Sequence, residues 1–313
     1  MARYLGRCLA QLIVTVLGIV TVAFFLMRAI PGDPAAYMLG DYATKEALAT
    51  LRAQLGLDRS LIEQYGLFVL RAVQGDLGSS VATGQAALTE ILDSLPASAA
   101  LAVAGLIIAV AFGVPAGIAS AVRQGTWLDA AIMLLALGGI SFPVFWLGLA
   151  GIVVLSHKLG IFPALGASSS SNVLDQLYHL ALPALVLGFS VAAYIARLTR
   201  SAMLEVLGQD YVRLARAMGV PERRIVWKLA LRNALIPILA VIGVTFAWSL
   251  GNAILIEAVF SRPGVGSTLL KAILARDYQL VQAGVLVLAT AVVLTNTVLD
   301  ILYGFIDPRL RTG

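Results

Sequence analysis

Residues 205–237 read EVLGQDYVRLARAMGVPERRIVWKLALRNALIP, a basic stretch carrying Arg213, Arg216, Arg223, Arg224, Lys228 and Arg232 inside a chain otherwise built from apolar residues. An Arg or Lys at the centre of a bilayer costs about 2.5–3.5 kcal/mol. The stretch therefore lies in water, on the side of a membrane where positive charge collects, and the apolar runs around it read as the spans that it connects.

Composition agrees. Of 313 residues, 60% are hydrophobic and 12% charged, about half the charge of an ordinary soluble domain, and the mean hydropathy is +0.92. The net charge of +5 is small and localised, which excludes nucleic acid as a partner. One cysteine, Cys8, excludes an internal disulfide framework, and His157 and His179 alone do not make a metal site. The fold class is an all-α integral membrane protein.

Working outward, six runs have spanning length: 8–30, 97–122, 128–155, 180–199, 233–257 and 279–305. The first follows Arg3 and Arg7 like a signal peptide. It exceeds the 7–15 apolar residues of that class and has no small-residue cleavage site, so it reads as a retained helix. Short loops on one side hold thirteen basic residues: Arg3, Arg7, Arg123, Arg309, Arg311 and eight between Arg197 and Arg232. The other side holds Lys158, Arg262, Lys271 and Arg276. By the positive-inside rule both termini are cytoplasmic. Pro115, Pro143, Pro183 and Pro237 fall in or near spans, where neighbouring helices tolerate kinks.

Three parts follow: 1–30 with the first helix, 31–96 as a small extracytoplasmic subdomain between helices 1 and 2, and 97–313 as a five-helix core with a cytoplasmic loop at 198–232. Pro31-Gly32-Asp33-Pro34 ends the first helix. Leu61, Tyr65, Phe68, Val69 and Ala72 fall at helical spacing and predict one amphipathic helix. Gln74-Gly75-Asp76-Leu77-Gly78 reads as a turn, and Ser168–Ser171 as a polar linker.

Within the basic loop, Tyr211, Leu214, Ala215 and Met218 recur at i, i+3, i+4 and i+7, one apolar stripe on a short helix with Gln209, Arg213 and Arg216 off it. Gly219 supplies the stop and Pro221 prevents continuation. Eleven residues would span about 16 Å, too little to cross a membrane. The helix fits two readings. One is an interfacial anchor on anionic lipid; the other is a docking surface for a soluble partner, to which the mixed charge of Glu205, Asp210 and Glu222 and the Gly-Val-Pro break belong.

The segment Tyr211–Gly219, followed by Glu222-Arg223-Arg224 and Leu231–Pro237, resembles the cytoplasmic loop of ABC-transporter permeases of the dipeptide/oligopeptide/nickel branch. The broader pattern has Glu-Ala-Ala-x3-Gly, then nine residues and Ile-x-Leu-Pro. Here Arg213-Leu214-Ala215 replaces Glu-Ala-Ala, and Pro237 falls five residues late. Supporting resemblances span nearly the whole chain: Leu26–Pro34, Gly75–Ser80, Ile140–Pro143, Pro163–Gly166, Val259–Gly264 and Asp307–Arg311.

The resemblance implies a permease subunit of an importer in the bacterial cytoplasmic (inner) membrane, carrying dipeptides or oligopeptides delivered by an extracytoplasmic binding protein. It implies a second homologous permease and two cytoplasmic ATPase subunits. It places the ATPase-docking surface at Tyr211, Arg213, Leu214, Ala215, Arg216, Ala217, Gly219, Glu222 and Arg223. No Walker A loop is present: Pro263-Gly-Val-Gly-Ser-Thr268 has no lysine in place. No cofactor is expected in this chain, ATP and Mg belonging to partner subunits, and no enzymatic activity.

Polar residues in spans are candidate path or gate groups, here Asn252, Glu257 and Asn296. Asp300 reads either as such a group or as the partner of Arg7 or Arg197. Gly113-Val-Pro-Ala-Gly117 fits a small-x3-small packing face. Alternative readings are the same importer type for nickel complexes or glutathione, an ion-coupled secondary carrier, which predicts inverted repeats, and an intramembrane enzyme. Neither repeats nor a catalytic constellation are legible.

Overall fold

A computed structural model describes residues 2–29, 34–39, 44–166, 168 and 172–306. The helix stop expected at residues 31–33, most of the Ser168–Ser171 linker and the Asp307–Arg311 tail lie outside the described residues, as does the Asp300 side chain. The helices, in order, are α1 (Ala2–Ala29), α2 (Pro34–Leu39), α3 (Lys45–Leu55), α4 (Leu61–Val73), α5 (Ala87–Val122), α6 (Trp127–Ser141), α7 (Val144–Gly151, continued by a π-helical segment Ile152–Lys158), α8 (Val173–Leu207), α9 (Asp210–Ala217), α10 (Glu222–Arg224, continued by a π-helical segment Ile225–Ala230), α11 (Leu231–Val259), α12 (Val265–Leu274) and α13 (Tyr278–Ile306). Among the described residues, five helices are long and apolar enough to cross a membrane, or six if α6 and α7 form one span.

The third span is the main correction to the expected pattern. The run 128–155 is not one rod, because α6 and α7 meet at 104°. Phe142 is extended (φ −84°, ψ 133°), the conformation that a following proline imposes. Pro143 has no N–H to continue α6, and its carbonyl instead starts α7 by accepting from Trp146 and Leu147. Other spans are longer than expected: α5 begins ten residues before 97, α8 runs on to Leu207, and the helix of the fifth span begins at Glu222. Among its described residues, the segment 31–96 holds α2, α3 and α4 and the start of α5, beyond the one amphipathic helix expected, α3 having a Thr44 cap and a left-handed Gly56 stop.

The chain forms two compact units, Met1–Pro96 with Gly264–Thr297, and Ala97–Pro263 with Val298–Gly313. α12 and most of α13 fall in the first unit with the N-terminal residues.

In the first unit, α4 lies against α1. Buried Phe24 meets Tyr65 and Phe68 at ring separations of 5.4 and 5.7 Å, close aromatic contacts of the kind that add to area burial. Thr21 and Tyr65 hydroxyls are 2.7 Å apart. Arg28 donates to Gln64 Oε1 at 2.8 Å while its guanidinium covers the Phe24 ring at 3.9 Å. Ser60 and Glu63 close a capping box at the start of α4. A second cluster joins Ala87 and Ile91 of α5 to Val265, Leu269 and Ala272 of α12 and Leu280 and Ala283 of α13.

Asp277 fastens this unit. It is buried, and its Oδ2 accepts from Ser80 Oγ at 2.6 Å and Val81 N at 2.8 Å, while Oδ1 caps α13 through Leu280 N at 3.1 Å. Gln279 Oε1 accepts from Ser79 N at 3.0 Å, so the residues after the Gly75–Gly78 turn are held from α13. Replacing Asp277 with alanine strands these buried donors, and bonds to a charged acceptor carry about 1.5–3 kcal/mol each. The expected result is a melting temperature in detergent lowered by several degrees; an unchanged melt would show that water replaces the carboxylate without loss.

In the second unit α8 is central, packing against α6, α7 and α11. Leu182, Ala184 and Leu187 of α8 share a core with Leu101, Val144, Ala253, Ile256 and Phe260. Between α5 and α8 the backbones nearly touch. A Cβ on Gly113 would lie 2.8 Å from the Ala192 carbonyl oxygen, and one on Gly188 would lie 2.8 Å from that of Gly105. The small-residue face read at Gly113–Gly117 is thus the close-packed side of α5, as expected where lipid removes the hydrophobic drive between helices.

Candidate functional site: the interfacial helix α9 and its mount

Helix α9 is eight residues long, about 12 Å. Its inward face is Val212 and Ala215, both buried against Ile225, with Leu207, Val220 and Leu229 around them. Its outward face is Tyr211, Leu214 and Met218, of which Leu214 is 61% exposed and Met218 69% exposed. The stripe read from sequence therefore divides. Tyr211, Leu214 and Met218 point out, whereas Ala215 turns in and supports the helix, so it does not belong to an outer contact surface. Arg213, Ala217, Gly219 and Arg223 are exposed.

Four features hold α9 rigid. Gly219 takes φ +76°, its N–H donating to Arg216 O and that of Val220 to Ala215 O at 3.0 and 3.1 Å. This pair of reversed bonds is the Schellman stop that glycine favours. Arg216 then reaches across the corner to Glu222, with Nη2 to Oε1 at 2.7 Å and Nε to Oε2 at 3.2 Å. Arg216 and Glu222 are thereby committed to each other, a bidentate brace between α9 and α10. Asn233 Nδ2 donates to the Tyr211 hydroxyl at 2.7 Å, tying α9 to α11. Finally, the π-helical segment Ile225–Ala230 turns Ile225, Val226 and Ala230 inward. Arg213 makes an exposed 3.5 Å contact with Asp210, a pair worth little.

Gly219 has open space where a Cβ would go, so Gly219→Val meets no steric clash and is opposed by backbone conformation alone. The left-handed region costs an L-residue about 1–2 kcal/mol. Amide exchange at Gly219 and Val220 is expected to accelerate about tenfold; rates equal to the parent's would show that the stop does not depend on glycine.

The candidate path residues differ in burial. Glu257 is wholly buried. Its neighbour is Arg262, whose guanidinium is held below its ordinary pKa by burial, an effect that Glu257 opposes. Arg262 Nη1 donates to Gly166 O at 2.7 Å and Gly166 N donates to Phe260 O at 2.8 Å. The Pro163–Gly166 and Val259–Gly264 segments, far apart in sequence, are thereby stapled. Asn252 is half-buried on α11 and Asn296 exposed on α13. Two polar centres escaped the sequence reading: Asp277, whose signal was its place as a cap before an apolar run, and Asp129, which pairs with Arg200.

Five long apolar helices among the described residues, or six with the bent pair taken as one span, mark a membrane protein. The chain belongs to the family described as binding-protein-dependent transport system inner membrane component, which matches residues 113–312, its N-terminal companion matching residues 1–102. It is 41% identical to the di/tripeptide transport system permease protein DppB of Pseudomonas aeruginosa (strain UCBPP-PA14), over 99% of each chain. It is 40% identical to the dipeptide transport system permease protein DppB of Alkalihalophilus pseudofirmus, covering 99% of this chain and 100% of that one. It is 39% identical to the glutathione transport system permease protein GsiC of Escherichia coli O6:H1, again over 99% of each. Among solved structures, the inward-facing MetNI methionine ABC transporter superposes with a TM-score of 0.52 at 20% identity, covering 69% of this chain and 96% of that one, a likeness of fold.

Proposed function

We propose that this chain is the permease subunit of an ATP-driven importer that moves dipeptides handed over by an extracytoplasmic binding protein. Full-length similarity to dipeptide permeases supports the substrate class. In this reading both termini are cytoplasmic, a second homologous permease completes the passage, and two ATPase subunits bind and hydrolyse ATP with Mg.

The observation that carries the mechanism is the outward face of α9, apolar at Leu214 and Met218, with Arg213 also exposed on the helix, set on a braced mount. Tyr211, Leu214, Ala217 and Met218 meet the ATPase, with Arg213 and Arg223 at the rim. Ala215, Gly219 and the Arg216–Glu222 brace shape the piece rather than touch the partner. Closure of the ATPase pair on ATP moves α9 as a rigid body and biases the bundle between inward- and outward-facing states, as a two-state element requires. Asn252 and Asn296 are candidates for the passage, and Glu257 for its outer closure through Arg262.

The test is purification from native membranes through a tag on this chain, followed by reconstitution with the binding protein. ATPase subunits and a second permease should co-purify, and labelled dialanine should enter vesicles only with ATP. Uptake by this chain alone, driven by an ion gradient, would overturn the reading in favour of a secondary carrier. The similarity to a glutathione permease favours glutathione as the second substrate reading, and competition between it and dialanine for uptake separates the two.

A further inference from the structure

Asp129, in the first turn of α6, is buried and its carboxylate takes four donors. Arg200 of α8 contributes two, Nε to Oδ1 at 2.7 Å and Nη2 to Oδ2 at 2.8 Å. Ser120 near the end of α5 donates its hydroxyl to Oδ1, and Gly125 N, in the turn between α5 and α6, donates to Oδ2 at 3.0 Å. One side chain thus locks α5, the turn, α6 and α8 in register.

Stability does not call for such a pair, since a buried ion pair replaced by apolar groups of similar volume is often neutral or better. A four-donor carboxylate does what an apolar contact cannot: it fixes α6 against α8 in both rotation and translation. Its position gives that constraint a use. Arg200 lies seven residues before the end of α8 at Leu207, about 10 Å along the axis. Leu207 belongs to the cluster that seats α9. On the other side, α6 leads from Asp129 to the 104° bend at Phe142–Pro143. Leu207, Arg200, Asp129 and α6 thus make a continuous chain of contacts from the mount of α9 to that elbow.

We propose that the Asp129–Arg200 pair is the joint by which movement of α9 reaches the α5–α6 corner and the bent α6–α7 pair, making both residues positioning residues of transport. The proposal rests on the reading of α9 as the ATPase-docking helix, and gives that reading a route into the bundle.

The test uses the assembled transporter in vesicles with its binding protein. Two variants are compared with the parent, D129N, which keeps acceptor oxygen for Ser120 or Gly125 but removes the charge, and D129L/R200M, which replaces the pair with apolar bulk. Three quantities are read: melting temperature, ATP hydrolysed, and solute moved per ATP. A structural role alone would lower uptake and hydrolysis together, leaving their ratio constant. The joint predicts a ratio about tenfold lower, inside the range usual for coupling between sites, with hydrolysis retained and D129L/R200M melting like the parent. Should the double variant not assemble, the ratio in D129N decides. An unchanged ratio with an active parent overturns the joint alone. A parent that shows no ATP-driven uptake overturns the α9 reading and the joint with it.

Discussion

On the proposed docking of α9, Leu214→Asp is expected to abolish ATP-driven uptake and strip the ATPase subunits from the purified complex while leaving this chain folded. The side chain is 61% exposed and belongs to none of the clusters that seat α9, whose inward contacts are Val212 and Ala215. Exposed substitutions of this kind usually change stability by about 0.5 kcal/mol or less. The consequence for docking is much larger. Covering a leucine is worth about 1.5–3 kcal/mol, and an unpaired carboxylate in an apolar cleft adds a desolvation penalty, so about 4 kcal/mol of association is lost. That is near a thousandfold in affinity. Leu214→Met, which conserves volume, should retain association and uptake. Parent-like ATPase stoichiometry in Leu214→Asp would place the docking surface elsewhere and return α9 to the role of a lipid-facing anchor.

How much of this was readable beforehand depends on the range of the interactions involved. The spans, the basic loop and the Gly219 stop are local: apolar length, Arg density and a Gly-Val-Pro break each declare themselves within a few residues. The phase of α9 is a different matter. Tyr211–Leu214–Met218 and Val212–Ala215 both fit a helical period, and near a membrane either face has an apolar neighbour to meet. Only the position of Ile225 beneath Val212 and Ala215 shows which one turns in. Pro143 was visible as a kink, but the 104° between α6 and α7 depends on the packing of α7 against α8 and α11. Asp129 with Arg200, and Ser80 with Asp277, are pairs 71 and 197 residues apart, and no spacing rule in a single chain reaches so far. In the 31–96 segment, α3 was missed although Leu48, Leu51 and Leu55 of KEALATLRAQL keep helical spacing, because alanine fills much of the remaining surface and blurs the contrast between faces. Ser60 and Glu63 carry the three-residue spacing of a capping box at the start of α4, a signal the sequence reading did not use.

The adjacent glycines of α6 show why Gly117→Leu should have the largest effect on folding. Gly138 has nothing within 4 Å of where a Cβ would stand, whereas one on Gly139 would lie 2.7 Å from the Ala193 Cβ. Gly117 is more confined than either. A Cβ there would lie 2.5 Å from the Ala196 carbonyl oxygen and 2.6 Å from the Thr199 Cβ. Both obstacles lie on or beside the α8 backbone, so no rotamer change clears them, and a leucine forces the helices apart. Separation would unpack Ala109 from Val191, Ala192 and Ile195, and Ile118 and Ala121 from Met203. The expected cost is above about 4 kcal/mol, the range reserved for overpacked cores and broken networks. It is read as loss of the monodisperse peak when detergent-solubilised protein is run on a sizing column. Gly138→Ala, in the same unit, removes helix-interior glycine without a clash and should be neutral or raise stability by up to about 1 kcal/mol. A parent-like sizing profile and melt for Gly117→Leu would mean that α5 and α8 pack more loosely than their backbones imply. The proposed route from α9 through α8 would then be too compliant to transmit movement of α9.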